Sequence, residues 1–65
     1  MKNIKLFNCS AICDGYDYKI LLVGDNQDNV LQRIYTILED EIVYSVQANE
    51  ILEVDGYNII LEKKE

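Results

Sequence analysis

Phe7, Cys9, Ala11 and Cys13 fall at every second position, and so do Tyr16, Tyr18, Ile20 and Leu22 beyond Asp14-Gly15. A period of two is the signature of a strand with one face turned inward. Asp-Gly between two such runs is a strong hairpin signal. A two-residue loop fixes the register: Cys13 faces Tyr16, Ala11 faces Tyr18, Cys9 faces Ile20 and Phe7 faces Leu22, all on one side. The other side pairs Ile12 with Asp17, Ser10 with Lys19, Asn8 with Leu21 and Leu6 with Val23. It is mixed near the turn and apolar at the far end.

Gly24 ends the second run, and the period then changes. Val30, Leu31, Ile34, Ile37 and Leu38 recur at helical spacing, which predicts a helix from about residue 26 to about residue 40. Asp25 or Asn26 is the expected N-cap, and Asp28 places negative charge in the first turn, where it suits the macrodipole. Tyr35 flanks the apolar stripe. From Ile42 the period returns to two, with Ile42, Tyr44, Val46, Ala48, Leu52 and Val54 in one phase broken by Glu50. This reads as one bent strand over 42–54, or as two strands with a kink at Asn49-Glu50. Asp55-Gly56-Tyr57 repeats Asp14-Gly15-Tyr16, and a second hairpin would pair Val54 with Tyr57, Leu52 with Ile59 and Ile51 with Ile60. The predicted fold is α+β: one domain over 1–65, two hairpins flanking a helix (β-β-α-β-β), and an antiparallel sheet with the helix packed on one face.

One helix covers one sheet face. The expected inner face carries Phe7, Cys9, Ala11, Tyr18, Ile20 and Leu22, joined by Leu52, Val54, Ile59 and Leu61. Ile4, Leu6, Leu21 and Val23 then cluster on the outer face, with Ile51, Ile60 and Val43 as neighbours. An apolar outer face is expected to be covered by another chain, most simply in a homodimer. Length points the same way, because a domain of 65 residues buries only about 60% of its unfolded surface and is marginal alone.

Charge narrows the partners. Twelve acidic and six basic residues give a net charge of −6, so binding to a phosphate backbone lacks its usual electrostatic term. A nucleic-acid-binding role is therefore the least favoured of three readings, although Lys2, Lys5, Lys19 and Arg33 could cluster. The apolar fraction of 49% argues against a disordered chain. No run approaches the roughly 20 apolar residues of a membrane span, Met1–Lys5 has no signal-peptide pattern, and a cytoplasmic location is expected.

Candidate chemistry is sparse. The chain has no histidine, so a Ser-His-Asp constellation is impossible and a cysteine nucleophile lacks its usual base. Cys9 and Cys13 stand four strand residues apart, roughly 13 Å, too far for a disulfide; they are expected to be reduced and buried. Asp25-Asn26-Gln27-Asp28-Asn29 lacks the glycine and distal glutamate of a calcium loop and reads as helix capping. No catalytic, cofactor-binding or metal-binding residues are expected. What remains is an acidic surface of Glu39, Asp40, Glu41, Glu50, Glu53 and Asp55, suited to a basic partner, with Tyr35 as a candidate aromatic anchor. In size, acidity and lack of catalytic residues the chain resembles the small inhibitors encoded by phages and mobile elements, such as anti-CRISPR and anti-restriction proteins. That resemblance is one of overall character, and no motif carries it. The expected function is a non-enzymatic protein-binding module, acting as a dimer by docking on a basic surface of a larger protein. The alternatives are an accessory subunit whose apolar sheet face is completed by a different protein, and a small nucleic-acid-binding domain.

Overall fold

The computed structural model describes residues 4–64. In chain order the elements are β1 (Lys5–Cys13), β2 (Tyr16–Gly24), α1 (Gln27–Ile37), β3 (Val43–Glu50), β4 (Glu53–Val54) and β5 (Tyr57–Asn58). β1, β2 and β3 form an antiparallel sheet in the order β2-β1-β3, and β4 and β5 form a separate two-stranded ribbon. The fold is α+β, as the pattern predicts, but the two hairpins do not share a sheet.

The first hairpin has the predicted register, from Cys13 opposite Tyr16 to Leu6 opposite Val23. The two Asp-Gly turns, alike in sequence, differ in backbone. In the second, Asp55 and Gly56 have φ of 52° and 82°, the pair of positive values that a type I′ turn requires. In the first, only Gly15 is positive, at 91°, which rules out type I′. Tertiary contacts account for the difference: the Asp14 N–H donates to the Ile42 carbonyl at 3.0 Å, and Asp14 Oδ1 accepts from the Tyr44 hydroxyl at 3.3 Å.

Asn26 is the N-cap, with its side chain accepting from the Asn29 N–H at 2.8 Å. The helix stops at Ile37, short of the predicted end near 40. Its last turn has no basic residue, and Glu39-Asp40-Glu41 sets negative charge against the negative end of the dipole. The chain leaves in a turn closed by Glu41 N–H to Leu38 O at 2.9 Å. Val30, Ile34 and Leu38 pack on Phe7, Cys9, Ala11, Cys13, Leu22 and Ala48, with Tyr18, Ile20, Leu31, Val43 and Val46 around them. Side chains also tie the helix to both outer strands: Gln27 Nε2 donates to Ala48 O at 2.8 Å on β3, and Arg33 donates to Val23 O on β2.

Two expectations for the C-terminal half are overturned. The ladder between β1 and β3 shifts between Ile12 and Cys13, where the partners pass from Ser45 to Val43. Tyr44 is therefore the extra residue of a bulge, which breaks the period of two. Val43 joins the core margin, whereas Ile42 and Tyr44, expected in phase with Val46 and Ala48, are exposed. Second, residues 42–54 are two strands parted at Ile51-Leu52, not at Asn49-Glu50. β3 keeps pairing one step past Glu50, with Ile51 N–H to Leu6 O at 2.8 Å, and then departs into the ribbon. Leu52, Val54 and Leu61, expected under the helix, are exposed, and Ile59 is only half-buried. Eleven helical residues span about 16 Å, and the three-stranded sheet occupies that whole length.

Candidate functional site

β1 is central, so pairing it with β3 carries the segment after the helix to the β1–β2 turn. Asp14, Asp17, Glu39, Asp40 and Glu41, all exposed, thus gather at one end of the sheet. Two tyrosines fix part of this end. The Tyr16 hydroxyl donates to Glu41 Oε1 at 2.6 Å, and Tyr44 donates to Asp14 as described. The bond to Glu41 is the main reason the Tyr16 phenol holds its proton well above the ordinary tyrosine range. The arrangement is a carboxylate-rich surface with orienting phenols. It offers anionic acceptors to a basic partner and lacks a nucleophile paired with a base.

Glu50, Glu53 and Asp55 do not join this surface. Glu50 closes β3, a strand of eight residues and so roughly 23 Å long, and it lies at the opposite end from Glu41. There it lines a shallow concavity of about 330 Å³ with Lys5, Phe7, Asn26 and Gln27. Glu53 and Asp55 belong to the ribbon and its turn. The six predicted carboxylates therefore fall into two groups. Asp14, Asp17, Tyr16 and Tyr44, which complete the first group, were not singled out for this role. Their place depends on β3 lying beside β1, and no local pattern encodes that neighbour. Tyr35 is exposed in the last turn of the helix.

The predicted apolar face is largely assembled. Leu6 sits between Val23 on β2 and Ile51 on β3, with Leu21 one pair further along. Ile4 joins Val23 and Leu61 around an apolar groove of about 320 Å³. Ile60 lies beyond β5 and is exposed.

Both cysteines are free and buried. Burial pushes the Cys9 thiol up, against smaller downward pulls from the Leu22 backbone and Arg33. A buried thiol that keeps its proton is a poor nucleophile. A colorimetric disulfide reagent is therefore expected to titrate almost no thiol in the native protein, and two per chain in denaturant. Rapid native labelling at Cys9 would contradict the packing described.

Among the described residues, no group of three or more Cys, Asp or Glu side chains is placed to hold a metal ion. No described helix is long and apolar enough to cross a membrane. Fold and site thus define a small α+β domain, a helix on a three-stranded antiparallel sheet, with a carboxylate-rich end and an apolar outer face. Comparison with family models, curated proteins and solved structures finds no match for the chain.

Proposed function

We propose that the protein is a non-enzymatic binding module that docks the acidic end of its sheet on a basic surface of a larger protein. The supporting observation is the convergence of Asp14, Asp17, Glu39, Asp40 and Glu41 on one exposed end, with Tyr16 holding Glu41 in place. Clustered charge of one sign speeds encounter with a complementary surface and fixes orientation. Tyrosine adds contact area at low conformational cost. The mechanism is occupancy, the mode of the small inhibitors that the chain resembles in composition: the bound module covers the partner's basic site. The same net charge of −6 weighs against nucleic acid as the ligand.

The two groups of carboxylates supply the test. The triple variant Glu39→Lys, Asp40→Lys, Glu41→Lys is expected to abolish capture of a partner from the source cell. The variant Glu50→Lys, Glu53→Lys, Asp55→Lys, with the same change in total charge, is expected to retain it. Equal loss from both would reduce the effect to net charge, and retention by the first would remove the acidic end from the interface.

A further inference from the structure

The ribbon is the least supported part of the molecule. An isolated two-stranded hairpin is marginal in water, and β4 and β5 have only two residues each. Val54 and Tyr57 are cross-strand partners and share a face, and Leu52, two positions earlier, lies on the same side. Glu53 and Asn58 form the opposite, polar side. The ribbon is thus amphipathic, yet Leu52 and Tyr57 on its apolar side are 72% and 75% exposed. The radius of gyration is 13.0 Å, against about 11 Å for a compact chain of this length. The chain has not closed on its own apolar surface.

The same molecule carries a receiving surface. The groove between Ile4, Val23 and Leu61, lined also by Glu62 and Lys63, presents mainly apolar surface, and Leu21, two residues before Val23 on the same sheet face, is exposed. Its volume of about 320 Å³ is large enough for an aromatic ring. A ridge and a groove on one chain, both uncovered, are satisfied together when two copies exchange them about a two-fold axis. At their fractional exposures, Leu52, Val54, Tyr57, Ile4, Leu21 and Val23 together leave open a surface on the order of the ~800 Å² that each partner buries in a standard interface.

We propose that the chain forms a two-fold dimer in which the Leu52-Val54-Tyr57 face of each ribbon seats in the other copy's groove between Ile4, Val23 and Leu61. Tyr57 is the central anchor. The inference does not rest on the docking function. The groove lies at the end of the sheet near Leu6 and Gly24, opposite the acidic end, so the dimer leaves both acidic ends free.

Sedimentation equilibrium of the full chain across the micromolar range is expected to give twice the monomer mass of 7.5 kDa. Tyr57 is exposed, so Tyr57→Glu should leave the circular dichroism spectrum intact while raising the dimer dissociation constant about 30-fold or more. The Glu39, Asp40 and Glu41 reversals should leave the dimer unchanged, which separates this result from the fate of the docking function. Geometry is checked by mixing a Tyr57→Cys chain with a Val23→Cys chain under oxidation. A disulfide between the two variants, exceeding that formed by either alone, is the expected product. A monomer throughout the range, a dimer indifferent to Tyr57→Glu, or no excess of the mixed cross-link overturns the proposal.

Discussion

Ile34→Ala is expected to lower the free energy of unfolding by about 2–5 kcal/mol, the range for emptying a fully buried aliphatic site. Ile34 is 1% exposed and lies with Val30, which is fully buried, at the centre of the helix–sheet contact. The core is small: nine buried hydrophobic residues among those described, two of them alanines and two cysteines. Few large side chains are available to collapse into the space, so the cavity term should be close to its full size. Domains commonly have only about 5–15 kcal/mol in total, and a small one is marginal, so the loss should take a large fraction of the protein's stability and move the denaturation midpoint well down. The measurement is urea denaturation followed by helix ellipticity. Ile37→Ala, one turn further on and about half exposed, controls for helix propensity and should cost much less. Equal losses at the two positions would mean that the helix does not present Ile34 to the sheet.

Gly24→Ala is expected to destabilise by about 1–3 kcal/mol through overpacking. This effect is steric and does not arise from backbone strain, since the φ of Gly24 is not positive. A Cβ at this position would stand 2.5 Å from Asn29 Oδ1 and 2.7 Å from Val30 Cγ2. The Asn29 side chain can swing aside, but Val30 cannot readily: it is β-branched, buried, and held in one helical rotamer. The helix must therefore shift outward at its first turn, where Asn26 and Gln27 fix it to the chain entry and to β3. Combining Gly24→Ala with Val30→Ala tests the cause. Removing the clashing methyls should make the double variant less destabilised than the sum of the single variants. Strict additivity would rule out the Val30 contact as the source.

These two positions also mark where the sequence could be read and where it could not. The periods of two and 3.6 placed β1, β2 and α1, and Asp14-Gly15 gave the register of the first hairpin, because those signals are local and each element spans nine or more residues. Gly24 was legible as a strand end; its close approach to Val30 was not, because that distance exists only after packing. The second half was harder for a physical reason. Ile42, Tyr44, Val46 and Ala48 keep perfect alternation, but pairing against β1 inserts a bulge at Tyr44, so the pattern names the wrong face at Ile42 and Tyr44, before and at the bulge, and the right one beyond it. The short ribbon, with an identical Asp-Gly-Tyr signal, was expected to extend the sheet and does not. The acidic site was legible only at Glu39, Asp40 and Glu41. Asp14 and Asp17 reach it through strand order, which leaves no trace in local periodicity.

The central place of β1 has a consequence for the order of folding. β1 and β2 are contiguous and can zip together at little loop-closure cost, while the other flank of β1 must wait for partners from Val43 to Glu50. Until β3 docks, β1 has an open strand edge and Phe7, Cys9 and Ala11 are uncovered. An uncovered edge is a template for pairing with other chains. The loss of protein to aggregation on refolding from denaturant should therefore rise with concentration and fall as β3 docking is made faster.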